Sequence, residues 1–379
     1  MKLKNRHTNQ WFLGLIGVLL LLIASPLLAQ EDDMPEDDDI RNHPTSVFLR
    51  RAVDSTGIDE LIFVDNLSGE DTRIEVYGER YTVLSNAVLF YDQARRRVML
   101  ASADGTLIEH PFVQPNLETR RIDWVVSKDG ERIAWTITDD DGAGRLSTVT
   151  SVADLDGRNN RLVYEDGPTS DGSFALPLAF SRDGSQLYMD THLDGLDNLI
   201  PLAQYIRIFA LDLETGETET LPNEESQVCI CGADVAEGFF VRLALASTGD
   251  RFDVYVYDLD GDVSHEIDAL NLTNYIQAGD MLISNDGRYA VYGLLQINNF
   301  GTSQQSTRTI FALVDLTTMT QTALTQPITT VVRPVAWTED NTAIIFTSPN
   351  QAGTWKIELS DGRLERIAEA AFLGTLRRS

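Results

Sequence analysis

Short apolar runs alternate with tight polar turns along most of the chain after about residue 45. Three turns share the pattern Ser-x-Asp-Gly, at residues 127–130, 181–184 and 284–287, and residues 338–341 are a variant ending in Asp-Asn. Apolar runs such as IDWVV and RIAWTI flank each turn. Such runs are typical of two strands that pair, and the turn between them needs a positive φ, which Gly and Asn tolerate. The pattern therefore predicts four β-hairpins.

The spacing of these hairpins predicts a repeat. Their starts at 127, 181, 284 and 338 are separated by 54, 103 and 54 residues, so a degenerate copy is expected in the middle, at residues 235–238. A second set of Asp-containing turns follows at a similar distance. Its members are residues 65–69, 103–105, 154–157, 212–216, 258–261, 315–318 and 360–362.

Each period thus contains four strands and two hairpins, which is typical of a β-propeller blade. The predicted fold class is all-β, a propeller of seven four-stranded blades, with six blades as the alternative if the short second unit is absorbed. The blades are expected at residues 45–81, 84–115, 122–166, 176–222, 228–269, 279–325 and 332–369.

The first unit shows only three clear strands. Residues 371–376 form an apolar tail that could supply its innermost strand and pair beside residues 47–51. Such closure of the ring would remove exposed sheet edges.

The pattern S-x-D-G followed by D-L-x-x-G resembles the WD40-like propeller repeat of the carboxy-terminal domain of the periplasmic translocation protein TolB. The resemblance covers residues 85–369 well and 45–81 partly. It implies the propeller fold and, more loosely, an exported binding or scaffolding protein. It does not fix a function, because one fold hosts many functions.

The amino terminus resembles an export signal. Three cations, Lys2, Lys4 and Arg6, precede an apolar stretch at residues 11–24, and Ala29 offers a cleavage point. An uncleaved anchor is the alternative, but the stretch is shorter than the roughly 20 apolar residues of a spanning helix. The expected organisation is a signal peptide at 1–29, a disordered acidic leader at 30–44 and a propeller domain at 45–379, in a periplasmic or extracellular protein.

The net charge narrows the choice of partner. The formal charge is −28, and loss of the three signal-peptide cations would make it −31. A surface of this sign repels phosphate backbones and anionic lipid, so neither nucleic acid nor a membrane is expected as a partner. A protein or glycan partner is expected instead, bound by a monomer.

Three loops between second and third strands are enlarged, at residues 139–144, 192–205 and 298–308. They are predicted to share one face of the ring, where long loops on a rigid scaffold often bind partners. Neutral lengthening of surface loops is the alternative. The expected contact residues are Asp140, Asp141, His192, Asp194, Asp197, Tyr205, Asn298, Asn299 and Phe300.

Signatures of catalysis are missing from the sequence. The histidines are scattered, and no G-x-S-x-G, P-loop or G-x-G-x-x-G pattern occurs. No catalytic residue, metal ligand or cofactor is therefore nominated. The favoured function is non-catalytic binding or scaffolding. The alternative is an exported enzyme acting on a carbohydrate or small metabolite at the central funnel.

Calcium is kept as a possibility at three acidic loops. The turns beginning at Asp154 and Asp258 resemble the opening of an EF-hand loop, and Glu165 even occupies its twelfth position, but plain hairpin turns are favoured for both. Asp194, Asp197 and Asn198 form a looser cluster.

The chain has two cysteines, Cys229 and Cys231. In an extended strand their side chains would point to the same side, but a bond across one residue departs from the usual Cα separation of about 5.5 Å. Free thiols are therefore expected, with a disulfide as the alternative. The strand tryptophans, such as Trp124 and Trp337, are expected to pack between blades.

Overall fold

The computed structural model describes residues 44–52, 57–196, 201–226, 229–261 and 263–376. They form 28 strands, grouped into seven four-stranded antiparallel sheets. We call these sheets blades 1 to 7. The innermost strands of neighbouring blades contact one another, so the seven blades form a closed ring. The sequence prediction of an all-β propeller with seven blades is confirmed, and the six-bladed alternative is wrong.

The strands of blades 1 and 2 are β1 (Thr45–Arg50), β2 (Asp59–Asp65), β3 (Asp71–Val76), β4 (Gly78–Val83), β5 (Val88–Asp92), β6 (Arg97–Ala101) and β7 (Leu107–Glu109). Those of blades 3 and 4 are β8 (Thr119–Val126), β9 (Arg132–Asp140), β10 (Leu146–Asp154), β11 (Arg161–Thr169), β12 (Ser173–Phe180), β13 (Gln186–Leu193), β14 (Ile208–Asp212) and β15 (Thr218–Thr220).

Blades 5 and 6 contain β16 (Ala233–Ala236), β17 (Phe239–Leu245), β18 (Phe252–Asp258), β19 (Val263–Ile267), β20 (Gln277–Ile283), β21 (Tyr289–Asn298), β22 (Ser306–Asp315) and β23 (Thr320–Ala323). Blade 7 contains β24 (Arg333–Trp337), β25 (Ala343–Ser348), β26 (Gln351–Glu358) and β27 (Leu364–Ala368), and the last strand, β28 (Ala371–Leu376), belongs to blade 1.

The carboxy-terminal strand closes the ring as the sequence predicts. β28 is the innermost strand of blade 1 and pairs with β1, with Thr45 opposite Leu376 and Leu49 opposite Ala371. The boundary between blades 1 and 2 differs from the prediction. The first blade was expected to extend to residue 81, but β4 begins at Gly78 and is the innermost strand of blade 2.

The repeated turns join first and second strands. Gly130, Gly184 and Gly287 have φ between +69° and +73°, and Asn341 has φ +55°. This is the left-handed conformation that the sequence requires of Gly and Asn. The degenerate copy is also a hairpin, since Ala236 pairs directly with Phe239.

The core lies between blades. Phe311 of blade 6 meets Phe346 of blade 7 with ring centroids 5.3 Å apart, and both side chains are almost fully buried. Burial of one such side chain contributes roughly 1.5–3 kcal/mol. Trp337 stacks on Tyr289 across the same boundary at 6.3 Å and donates its indole N–H to the Leu282 carbonyl. It has the inter-blade role that the sequence predicts.

Candidate binding face

The ring has two different faces. Turns from first to second strands and from third to fourth strands lie on one side, which we call the short-turn face. Loops from second to third strands and the connections between blades lie on the other side, the long-loop face. The three enlarged loops predicted from the sequence are all on the long-loop face.

The end of the blade 4 loop lies over three neighbouring blades. We call residues 201–206 the strap. Tyr205 forms an antiparallel bridge with Cys231 ahead of blade 5, with N to O distances of 2.9 and 3.4 Å. Ala203 bonds to Asp280 of blade 6, and the Pro201 carbonyl accepts a bond from Arg333 of blade 7. The strap is therefore fixed to the inner strands rather than extending into solvent.

Apolar contact adds to this attachment. Leu202 is 2% exposed and packs against Leu295 and Val331. Gly279 lies so close beneath the strap that a Cβ there would be 2.5 Å from the Ala203 carbonyl oxygen. The innermost strand of blade 6 therefore needs a glycine at this position for the strap to fit.

A fully buried arginine supports the strap from below. Arg242 donates to the carbonyl oxygens of Cys231 at 2.7 Å and Tyr205 at 3.1 Å. Its Nε lies 3.0 Å from Oε1 of Glu224, whose Oε2 accepts a bond from the Ile208 amide at 2.7 Å. Burial raises the pKa of Glu224, and the guanidinium opposes that rise. The guanidinium thus supplies both backbone hydrogen bonds and the compensating charge.

His192 belongs to a neighbouring buried group. Its Nδ1 lies 3.0 Å from Oδ2 of Asp190, and the other oxygen of Asp190 accepts bonds from the amides of Ile206 and Arg207. Desolvation raises the pKa of Asp190. His192 is 3% exposed, so its side chain lies beneath the surface beside Asp190.

Two of the expected contact residues are brought together by an arginine that the sequence did not single out. Arg120, on the innermost strand of blade 3, contacts Asp194 at 2.5 Å and lies 3.6 Å from Asp140. Asp141 instead pairs with Arg145 inside its own loop at 2.7 Å. Asp197 lies outside the described residues, as does Asn198.

The blade 6 loop is separate from these charges. Asn298 ends β21, Asn299 has a positive φ of 52°, and Phe300 is 71% exposed. Of the last three expected contact residues, Phe300 therefore presents its aromatic side chain to solvent on the long-loop face.

Other exposed apolar side chains lie on the same face, in or beside blades 5 and 6. Ile276 is 62% exposed, and its amide bonds to the Leu295 carbonyl of β21 at 3.0 Å. Leu245 ends β17 and Ile230 lies between the two cysteines, with 39% and 37% exposure. We call Ile230, Leu245, Ile276 and Phe300 the apolar patch. The sequence reasoning included only Phe300.

The expectation of free thiols is wrong. Cys229 and Cys231 form a disulfide, with Cα atoms 5.5 Å apart. The expectation assumed an extended strand, in which two steps span about 6.6 Å. The chain instead bends ahead of β16, so the two Cα atoms are closer. The bond brackets Ile230 at the tip of the connection from blade 4 to blade 5.

The turns at residues 154 and 258, where calcium was the alternative, have their aspartate oxygens bonded within the turn. Asp258 Oδ1 accepts bonds from the amides of Asp260 and Gly261, and Asp154 Oδ2 accepts one from Asn159. Both segments are the hairpins that join the third and fourth strands of their blades. In the part of the chain that the structure describes, no group of three His, Cys, Asp or Glu side chains is placed to hold a metal ion.

Two clefts open on the opposite, short-turn face. One of about 640 Å³ lies between blades 6 and 7 and is lined by Asp286, Asp315 and Asp340 among others. One of about 360 Å³ lies between blades 4 and 5 beside Tyr188 and Tyr257. Both are remote from the strap and the apolar patch.

Comparison with known proteins supports the fold. No protein-family model matches the chain, and no curated protein matches it. Among solved structures, a prolyl endopeptidase is similar at TM-score 0.58 and 13% identity over 86% of this chain, which spans half of that enzyme. An oligogalacturonate lyase in complex with manganese is similar at TM-score 0.53 and 12% identity, over 86% of both chains.

A protein assigned as TolB from Agrobacterium tumefaciens is similar at TM-score 0.42 and 12% identity, over 75% of this chain and 90% of that one. At such identities the likenesses show the propeller fold, which hosts both binding proteins and enzymes. No helix among the described residues is long and apolar enough to cross a membrane.

Proposed function

We propose that this protein is an exported, non-catalytic binding propeller, similar to the TolB type, that engages a partner protein through its long-loop face. The apolar patch carries the proposal. Apolar side chains exposed together on one face are typical of protein-binding surfaces, and aromatic residues are enriched at the centres of such interfaces. Phe300, at 71% exposure, is the natural anchor of this patch.

The distribution of other exposed apolar residues supports the same face. The short-turn face is built from Asp-rich hairpins, whereas several large apolar side chains lie in loops and connections of the long-loop face. These are Ile58, Tyr77, Leu117, Leu193, Ile230, Leu245, Ile276 and Phe300. Rigid strands hold these loops in place, so a partner would meet a preformed surface.

The structure changes how this proposal is tested. Deletion of the 192–205 loop would test the proposal only if the fold tolerated it. Its removal would expose Leu295 and Val331, against which Leu202 packs. It would also leave the buried Arg242 and Asp280 without their hydrogen-bond partners in the strap. Loss of capture after such a deletion would therefore not distinguish binding from folding.

Site-specific photo-crosslinking avoids that problem. A crosslinking amino acid at position 300 should give one dominant covalent adduct with a partner protein in cells of the source organism. The matched control is position 67, because Leu67 is 61% exposed but lies on the short-turn face. Phe300→Ser should then weaken binding of the identified partner with an unchanged melting temperature. Adducts from position 67 alone, or none from either position, would overturn the proposal.

A further inference from the structure

The cleft of about 360 Å³ between blades 4 and 5, which we call the tyrosine cleft, contains a buried tyrosine without a hydrogen-bond partner. Tyr188 is 6% exposed and lines the cleft, and no described residue bonds to its hydroxyl. Tyr257, also a lining residue and equally buried, accepts a bond from Asn223. Buried tyrosine hydroxyls usually find a partner. The Tyr188 hydroxyl is therefore available to a ligand, and the volume of the cleft is within the range of small-molecule sites.

Strand register places Tyr188 in a row with two other lining residues. Tyr188 of β13 lies directly opposite Ala210 of β14, and Ala210 lies opposite Glu219 of β15. Residues paired in this way share one face of a sheet, with adjacent strands about 4.8 Å apart. The short Ala210 side chain thus leaves a trough between the phenol and the carboxylate. Glu219 is exposed, and no described residue pairs with its carboxylate. The trough therefore offers two oxygen acceptors that the described protein does not use.

The charges around this trough are negative. Asp258, on the blade 5 side, lines the cleft with its Oδ1 bonded to the amides of its own turn. Burial raises the pKa of Tyr188, and the charges of Asp183 and Asp260 add to that rise, so the phenol stays neutral. No Lys, Arg or His is among the described residues that line the cleft. A cation is therefore attracted to the tyrosine cleft, and an anion is repelled.

The larger cleft, between blades 6 and 7, differs because it contains a cation of its own. The guanidinium of Arg288 lies over the ring of Tyr289, 5.3 Å from the ring centroid, and its charge also acts on Asp286. A tyrosine and a carboxylate are thus already matched by a positive side chain there. The described lining of the tyrosine cleft has the same two kinds of group without that cation.

We propose that the tyrosine cleft binds a small ligand through a primary ammonium group. The ammonium donates to the Tyr188 hydroxyl and to the Glu219 carboxylate, since it carries three N–H donors and no acceptor. The small volume limits the ligand to a short amine or to one lysine side chain of a larger molecule. This site lies on the short-turn face, so it does not depend on the function proposed for the long-loop face.

Ligand-observed NMR titration of the full-length protein with butylamine tests the proposal, and butanol is the uncharged control of the same length. We expect butylamine to bind at least about tenfold more tightly, because a charge-assisted hydrogen bond is roughly twice as strong as a neutral one. A lysine capped at both ends distinguishes the source of the ammonium. Binding of butylamine alone indicates a free amine, and tighter binding of the capped lysine indicates a side chain of a larger molecule.

One variant removes only the hydroxyl. Tyr188→Phe should weaken butylamine binding about three- to tenfold with an unchanged melting temperature, because no described residue bonds to that hydroxyl. Tyr292→Phe is the matched control. It removes a hydroxyl that donates to Gln321 at 2.6 Å within blade 6, so it should leave butylamine binding unchanged.

A second variant removes only the charge. Glu219→Gln should weaken binding about tenfold or more, whereas Glu214→Gln, an exposed position in the same hairpin but outside the cleft, should not. Since Glu219 is exposed, this variant decides the matter if Tyr188→Phe does not fold. Equal weakening by the two glutamate variants would indicate diffuse electrostatic attraction and overturn the proposal. Equal binding of butanol, or no binding of either amine, would overturn it as well, while crosslinking at position 300 decides the proposed function separately.

Discussion

On the short-turn face the repeated motif bonds mainly within its own hairpin, with a few links between neighbouring turns such as the Asn285 amide to Asn341, whereas on the long-loop face the strap is held by distant segments. Ser181 donates to Asp183 two residues away, and Asp183 in turn accepts the Ser185 amide. By contrast, Ala203 bonds to Asp280 at a separation of 77 residues, and Pro201 to Arg333 at 132. The repeated motif therefore makes turns, and the individual character of the protein lies on the other face.

The electrostatics of the two faces differ in the same way. Hydrogen bonds from the Ser185 amide, Ser181 and Ser185 lower the pKa of exposed Asp183 to about 2. Desolvation raises the pKa of Asp280 to about 6, against the opposing effect of Arg333. The hairpin turn thus stabilises the ionised form of Asp183, whereas burial under the strap destabilises the ionised form of Asp280.

The largest difference in stability between the two faces is expected at Arg242. Arg242→Ala should lower the free energy of unfolding by about 3–5 kcal/mol, because it leaves Glu224 buried without its cation. Lys128→Ala is the control on the short-turn face. Lys128 is 69% exposed and pairs with Glu237, so its loss should cost less than about 1 kcal/mol. Equal losses in chemical denaturation would mean that the strap contributes no more than a surface pair.

The stability of the two faces should also depend on pH in opposite directions, first at Asp280. Because the folded pKa of Asp280 is about 6 against an ordinary value of 3.8, its contribution is fully present below about pH 4 and is lost as pH rises through 6. The free energy of unfolding of the wild type minus that of Asp280→Asn should therefore be larger at pH 4 than at pH 8, by up to about 3 kcal/mol.

Denaturation of both proteins across that pH range measures this difference and cancels other titrations, including that of buried His110, whose pKa is lowered to about 4. A difference independent of pH would show that Asp280 is not buried beneath the strap. Asp183→Asn should differ from wild type with the opposite sign, since Asp183 stabilises above its ordinary pKa and loses that contribution as pH falls toward 2.

The smallest effect is expected in a single repeated turn. Ser181→Ala removes the bond to Asp183 and the acceptor of the Gln186 amide, and should cost about 1 kcal/mol. Its effect on long-loop binding should be undetectable. A large loss of stability, or of partner binding, would show that the two faces are coupled.

Much of the ring could be predicted because its signals are local. Asp-Gly turns between paired apolar runs need only adjacent residues, and they gave the blades, the hairpin at 235–238 and the strand that joins the two ends of the ring. The candidate site could be predicted only in part. The enlarged loops, Phe300 among them, were visible as insertions, but the roles of His192 and Tyr205 inside the loop were not.

Arg242 and Asp280 show what the sequence alone could not provide. Each is one charged residue in an apolar or mixed strand, and such residues are normally read as surface positions. Their partners lie on other blades, so only closure of the ring brings them together.

The sequence by itself determined the repeat, the number of blades and the face that carries the long loops, because these follow from turns and strand periods along the chain. Tertiary structure decided the path of the strap, the disulfide and the buried charges. The strap and the buried charges depend on groups from separate parts of the ring meeting within about 3 Å, a distance that no local pattern encodes, and the disulfide depends on a bend of the chain where the sequence suggested an extended strand.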